Sequence, residues 1–485
     1  MNRLVVMKFG GTSVEDAAAI LRTAQIVAGR VAKGLQPVVV VSAMAKVTDL
    51  LLSAAATAAK GDRASALAIT ERLRIRHRDT ATQLTAAGSR DAALGNDGAN
   101  PAVVATHAWM DAEFDGLDEV LRGLAVVGEL TPRISDMIVS YGERLSSRMI
   151  TEAFARCGLN AVHVDARQCI VTDAQYGKAI PQDAAIERRL KEKVAPHLAE
   201  GRVPVMGGFI GSTEQGVTTT LGRGGSDFTA ALVGGGIDAG AIEIWTDVNG
   251  IMTADPRVCP DALRVKIISF EEAAELAYFG AKVLHPATIL PAVKKNIPVF
   301  VLNSKNAENS GTRITAMAPH CSSPFKSIAA KKRLTIMDIV ASRMLLSHGY
   351  LREIFEVFDK HRCPVDMVST SEVSVSLSVD SNEKLPAIAA DLSKLADVKY
   401  EGRKALICMV GENIRGQNGI AARVFQTVRH VNLRMISQGA SEINMSFMVE
   451  EDDADEAVRS LHAEFFSDPD PAIFDVEAVR QAAVR

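Results

Sequence analysis

Along the first 315 or so residues, apolar positions gather into short unbroken runs rich in β-branched side chains. Runs at 4–9, 37–42, 161–165, 170–172, 203–209, 241–246 and 297–302 read as strands. The stretches between them carry helical spacing. Residues 53–124 are alanine-rich and amphipathic with a Gly/Asn/Asp interruption at 88–101, and 131–150 reads as one helix. Strands alternating with helices predict an α/β fold, a mostly parallel sheet sandwiched by helices.

The pattern changes at 316–333, where Pro, Ser and a Lys331-Lys332-Arg333 cluster read as a linker. Beyond it the chain repeats. Residues 334–341, 349–361 and 365–379 give strand, helix and strand, and 405–410, 419–430 and 433–449 do so again about 70 residues later. Gly349 pairs with Gly419, Phe355 with Phe425, and Ser371-Glu372 with Ser441-Glu442. The expected organisation is therefore a catalytic module over 1–315, a linker over 316–333, and two small α+β units at 334–400 and 401–466. The second unit either follows the first or interleaves with it, and 467–485 is a tail with no assignment. Units of this kind expose sheet edges, which favours a homodimer or homotetramer assembled through them.

Composition narrows the function. The 54 basic and 58 acidic side chains leave a net charge of −4. That balance, with no aromatic residues interleaved among the basic ones, argues against nucleic acid as a partner. Six cysteines lie far apart without metal-ligand spacing, as expected of buried thiols in a reducing compartment. No apolar run is long enough to span a bilayer and the N-terminal residues lack a signal-peptide core, so no membrane partner and a cytoplasmic location are expected.

Three glycine-centred stretches carry the candidate chemistry. In Thr218–Thr220 and the LGRGGSD that follows, a strand end meets Gly222, Gly224 and Gly225 and then a helix. Ser226 or Asp227 is expected to cap that helix, leaving N–H donors in the turn for an anion, and Arg223 offers a planar fork to a carboxylate or phosphate. Lys8 lies within a core strand just before Gly10-Gly11, and Thr12 or Ser13 is expected to cap the next helix. Gly142, inside a helix, is costly there, and a close ligand beside Glu143 would account for it. A surface glutamate, a snorkelling lysine and an ordinary strand–turn–helix corner are the plainer alternatives. Lys8, Arg223, Arg257 and Lys282, all near strand ends or glycine loops, suit a transferring phosphoryl group. No general base stands out. A carboxylate acceptor, ionised at neutral pH with a pKa of about 4, needs none. The residues alone point to a phosphotransferase acting on a small anionic metabolite.

Val6–Val14 (VMKFGGTSV), TTTLGRGGSD, Trp245-Thr246-Asp247 through Asp255-Pro256-Arg257, and FGAKVLHP at 279–286 together resemble the aspartate kinases of the amino acid kinase superfamily. The C-terminal repeat resembles their paired ACT domains. This resemblance covers nearly the whole chain. It implies ATP-dependent phosphorylation, with Mg²⁺, of the β-carboxylate of L-aspartate, the entry to lysine, threonine and methionine synthesis. It places Lys8 on the migrating phosphoryl group with Asp227 in support. Thr48, Glu143, Arg223 and Ser226 would hold aspartate. Lys8, Gly10, Gly11, Ser13, Thr246, Asp247, Met252, Arg257, Lys282 and Val283 would hold ATP, with Met252 where relatives often carry tyrosine. Met344, Ser347, Tyr350, Leu351, Val365, Asp366, Thr370, Ser371 and Glu372 resemble the lysine-binding surface of lysine-sensitive members, which implies lysine as effector. A glutamate or N-acetylglutamate kinase, and a sensor built on an inactive kinase, are the alternatives. Intact Lys8, Arg223 and Asp227 speak against the second.

Overall fold

The computed structural model describes residues 2–88, 101–279, 286–341, 348–380 and 383–476. The chain forms two compact units, one of Met1–Gly250 with Val283–Ala316 and one of Ile251–Lys282 with Met317–Arg485. Residues 251–282, within the expected catalytic module of 1–315, cluster with the C-terminal part.

In the first unit the strands lie in the order Ala161–His163, Val203–Gly207, Gln36–Val41, Leu4–Phe9, Ala241–Thr246, Val299–Asn303 and Thr312–Thr315. All neighbours pair in parallel except the last. Leu4–Phe9 is central, and Val6, Met7 and Phe9 are wholly buried. A parallel sheet covered on both faces requires such continuous apolar runs, which is why the strand positions are legible from the sequence. The helices Val47–Ala59, Arg63–Gly88, Pro101–Val127 and Pro132–Arg156 form the helical excursion on one side. The expected strand at 170–172 does not form. Those residues make isolated bridges, Val171 to Ser212 and Thr172 to Pro181, beside a separate hairpin of Ile210–Ser212 and Thr218–Thr220.

Two expected caps are corrected. Asp16, not Thr12 or Ser13, caps Ala17–Ala32 by accepting from the Ala19 N–H at 2.8 Å. Gly11–Ser13 instead forms a tight 3-10 turn. At the other glycine turn, Gly222 and Gly224 adopt φ of 76° and 71°, so the helix Gly225–Gly236 begins without a side-chain cap. Ser226 and Asp227 then fall in its first turn, where their side chains serve other partners.

The second unit is organised on one six-stranded sheet in the order Val365–Thr370, Ser374–Asp380, Ser327–Val340, Asp397–Val410, Asn444–Glu450 and Met435–Gln438, every pair antiparallel. The last part of the stretch expected to be a linker, from Ser327 on, is strand. Ser327–Lys331 pairs with Val410–Leu406, while Leu334–Val340 pairs with Asp380–Ser374. The first repeat is therefore complete in sequence, whereas the second takes its fourth strand from ahead of the first. Interleaving is the outcome. The C-terminal stretch is also tied in, with Ile473 and Phe474 fully buried and Lys266 N–H donating to the Ile473 carbonyl at 2.7 Å. Beneath this unit Lys326 and Glu272 form a buried ion pair at 2.8 Å.

Candidate functional site

Parallel pairing brings the carboxyl ends of Leu4–Phe9, Gln36–Val41, Val203–Gly207 and Ala241–Thr246 to one edge of the first unit's sheet, where open α/β sheets hold ligands. Lys8 sits one residue before the end of the central strand with only 9% of its surface exposed. Its ammonium meets the Asp227 carboxylate at 2.6 Å. A lysine this buried requires such a counter-charge, and the first turn of Gly225–Gly236 supplies it.

The next contact runs from Ser226 Oγ to Ser42 Oγ at 3.0 Å, and the Ser42 carbonyl accepts from Ser146 Oγ at 2.7 Å. Ala43 N–H donates to Glu143 Oε1 at 3.3 Å, so Lys8, Asp227, Ser226, Ser42, Ala43 and Glu143 form a contiguous set of contacts and chain neighbours. Glu143 is buried, and among the described residues its Oε2 has no hydrogen-bond partner. Burial pushes its carboxyl up to about 8 despite the Ala43 N–H. A buried acceptor left with an open lone pair suits a cationic ligand group.

Glycines set how closely these elements approach. A Cβ at Gly208 would lie 2.6 Å from the Ser226 Cβ, and one at Gly207 would lie 3.0 Å from the Glu143 Cβ. Gly142 has a different cause from the one its position suggests. A Cβ there would meet the Ala43 Cβ at 2.9 Å, so helix packing against 43–51, not a ligand, excludes a side chain. Gly10 donates its N–H to the Trp245 carbonyl at 3.1 Å, and Gly11 lies against the Ala43 carbonyl.

Ser13 is buried and donates to Ser304 Oγ at 2.8 Å. Ser304 in turn donates from its backbone N–H and its hydroxyl to the Thr246 carbonyl, at 2.8 and 3.1 Å. Ser13, Thr246 and Asp247 are thus gathered through Ser304. Arg223 is exposed on the turn that delivers Asp227, and Thr48 is half-buried in the first turn of Val47–Ala59. The structure therefore brings Lys8, Gly10, Gly11, Ser13, Thr48, Glu143, Arg223, Ser226, Asp227, Thr246 and Asp247 into the first unit. Met252 and Arg257 belong to the second, where Arg257 is exposed and paired with Asp255 at 2.6 Å. Lys282 and Val283 lie outside the described residues.

Sequence reasoning missed Ser42, Ser304 and Gly208. The Gly207-Gly208 pair was legible as a glycine cluster at a strand end, but only the fold shows what approaches it. Asp136 was also missed. Wholly enclosed, it accepts from the Gly177 and Thr220 N–H groups at 2.9 Å and the Thr220 hydroxyl at 2.7 Å, anchoring the hairpin that leads to Arg223.

On the six-stranded sheet, Val365, Asp366, Thr370, Ser371 and Glu372 lie along the outer strand Val365–Thr370 and its following turn. Asp366 is ion-paired with Lys331 at 2.8 Å, and Lys331 also meets Asp380 at 3.1 Å. Tyr350 belongs to the packed core, while Leu351 is exposed. Met344 and Ser347 lie outside the described residues.

Comparison with known proteins gives concordant results. The model of the amino acid kinase family matches residues 3–303, and an ACT domain model matches 407–465. Lysine-sensitive aspartokinase 3 of Escherichia coli (strain K12) is 37% identical over 484 residues, covering 96% of this chain and 100% of that protein. The E. coli aspartokinase III structure in complex with aspartate and ADP (R-state) superposes with a TM-score of 0.79 at 35% identity, covering 96% of this chain and 100% of the other. The complex of that enzyme with lysine and aspartate (T-state) gives 0.80 at 35% identity with the same coverage.

Glu143 makes the protein's stability depend on pH in a specific way. Its folded-state pKa is raised to about 8 from an ordinary 4.5, so between those values the folded chain keeps a proton that the unfolded chain has lost. The free energy of unfolding therefore falls as pH rises through that window, by at most about 1.4 kcal/mol per pH unit for this one group. Denaturant titrations from pH 5 to 8.5 should show Glu143→Gln flattening that slope. An unchanged slope would mean Glu143 is ionised in the folded protein.

Proposed function

This chain belongs to the amino acid kinase family, among its aspartokinases, and from that premise we propose how its residues divide the transfer of phosphate from ATP to L-aspartate. The reaction gives 4-phospho-L-aspartate, the product of an aspartate kinase. The observation that carries the assignment of roles is the buried Lys8–Asp227 pair joined by Ser226 and Ser42 to Glu143.

The acceptor is a carboxylate, already ionised at neutral pH, so the site has to align and neutralise rather than deprotonate. Lys8, held by Asp227, meets the charge on the migrating phosphoryl group. Gly10 and Gly11, with Ser13, Thr246 and Asp247, line the phosphate side. Glu143 receives the ammonium of aspartate, Arg223 its α-carboxylate, and Ser226 and Thr48 complete the pocket. Met252, Arg257, Lys282 and Val283 complete the nucleotide set on the resemblance alone. Mg²⁺ fits this donor set. It favours one or two carboxylates together with substrate phosphates and water, and Asp227 and Asp247 are the carboxylates present. It would neutralise phosphate charge as the nucleotide binds.

Glu143 also implies that aspartate binding expels a proton near neutral pH, since an ammonium favours the carboxylate form. The cytoplasm is the compartment that fits, and among the described residues no helix is long and apolar enough to cross a membrane. The end strands of the six-stranded sheet, Val365–Thr370 and Met435–Gln438, are where homodimer or homotetramer pairing would occur. Sedimentation of the purified chain at the monomer mass across micromolar concentrations would refute that assembly.

Trapping the acyl phosphate with hydroxylamine should give hydroxamate with L-aspartate and not with glutamate or N-acetylglutamate. Lys8→Met should lower kcat by about 100- to 1,000-fold, as loss of one charge-stabilising donor does. Arg223→Ala should act chiefly on the KM for aspartate. Full activity in Lys8→Met would refute the assigned role.

Regulation by lysine is the second part of the proposal, supported by the likeness to the lysine-bound relative and by the acidic outer strand at Asp366 and Glu372. Lysine should inhibit, and Asp366→Ala should raise the half-inhibitory concentration about tenfold or more, within the usual range of allosteric coupling. Undiminished activity in millimolar lysine would remove this part and leave the catalytic assignment standing.

A further inference from the structure

In the second unit, three side chains with metal-ligating atoms converge beside the loop that also carries Arg257. Cys259 and Asp261 lie two residues apart on the loop after Met252, and His462 lies in the last turn of the helix Ala454–Phe465. One ligand atom from each falls within 4.8 Å of the other two, and His462 Nδ1 stands 3.6 Å from Asp261 Oδ2. The Cys259 and His462 side chains are buried, whereas Asp261 is exposed and faces solvent.

The surroundings of His462 are those of an oriented ligand. Its Nε2 lies 2.8 Å from Thr253 Oγ1, whose other side accepts the Leu263 N–H at 2.8 Å. The Phe466 ring stacks on the imidazole with centroids 5.0 Å apart. Position and plane are therefore fixed, with Nδ1 directed toward Asp261 and Cys259. When Nε2 carries the proton and donates it to Thr253, the Nδ1 lone pair is free for a cation, the arrangement that second-shell partners impose on metal-bound histidines.

We propose that Cys259, Asp261 and His462 form a binding site for one zinc ion, with water in the fourth position. A mixed sulfur, nitrogen and oxygen set suits a borderline-soft divalent ion better than Mg²⁺, which prefers oxygen alone. Tetrahedral zinc bonds of about 2.0–2.3 Å place neighbouring ligand atoms roughly 3.3–3.7 Å apart. His462 Nδ1 and Asp261 Oδ2 already stand at that spacing, 3.6 Å apart, and the Cys259 ligand atom lies within 4.8 Å of the other two. Binding would release the thiol proton and staple the 255–263 loop to Ala454–Phe465. Ile328 N–H donates to the Thr253 carbonyl at 2.7 Å, so the staple reaches the strand Ser327–Val340 shared by both ACT units.

The test uses the full-length chain stripped with chelator and titrated with Co²⁺ as a spectroscopic stand-in for zinc. The expected result is one equivalent bound with a thiolate-to-cobalt charge-transfer band, bleached by added Zn²⁺. Cys259→Ser should abolish the band, and Cys157→Ser, at an exposed cysteine, should leave it intact. Asp261→Asn changes an exposed side chain, so its fold is not at stake, and it should weaken Co²⁺ binding at least tenfold. Absence of the band, its survival in Cys259→Ser, or unaltered affinity in Asp261→Asn would each overturn the proposal.

Discussion

A charged lysine held inside a parallel sheet is the constraint on which the catalytic unit depends. Lys8 occupies a core strand position at 9% exposure, and Asp227 answers it at 2.6 Å. Desolvating such a pair recovers little net stability, and removing either partner strands the other charge. The gain lies elsewhere. The pair fixes the first turn of Gly225–Gly236 against the central strand, and with it the position of Ser226 and the direction of the preceding turn. The backbone of that turn and the ammonium are then preorganised before any ligand arrives, which is where electrostatic catalysis draws its advantage.

Close approach is the second constraint, and glycine meets it. Gly207 and Gly208 let two helices, one carrying Glu143 and one carrying Ser226, come against the same strand end. Gly142 lets the Glu143 helix settle on 43–51. Any side chain at these places would widen the site by roughly a carbon atom's width, enough to separate Glu143 from Ala43 or Ser226 from Ser42. The carboxylate so enclosed keeps its proton at neutral pH until a cation replaces it. Packing geometry thus sets the chemistry of Glu143.

Much of this was legible in the chain. The central strands are apolar on both faces, so their positions follow from a simple run of Val, Ile and Met, and the strand ends carry the glycine turns beside Lys8 and Asp227. The caps were not legible, because Asp16, Ser13 and Thr12 all have capping side chains and only the tertiary demand of Ser304 decides which is free for that task. Gly142 was misread for a related reason: a costly glycine indicates a close neighbour without saying which. The strand Ser327–Val340 was hidden because Lys331, Lys332 and Arg333 interrupt its apolar pattern. That is where its register shifts, with Arg333 at a φ of 61°. The pairing that satisfies it lies about 75 residues away, beyond the reach of local pattern.

That interrupted strand explains how the regulatory unit is built. Its first third completes one ACT unit and its remainder begins the other, so the two halves share a backbone and not only an interface. Lys331, at the changeover, places its ammonium on Asp366 and Asp380. An amino-acid effector whose amine takes Asp366 would therefore exchange one ammonium for another and would not fill a vacant acidic pocket. The Coulombic gain largely cancels in such an exchange, so its free energy must come from the effector's other end and from where Lys331 goes next. A tethered competitor also lowers the apparent affinity by the fraction of sites it holds. Lys331 belongs to the strand common to both units, so its release is felt at the join between them, and the acid that would bind the effector also holds the regulatory sheet in its present form.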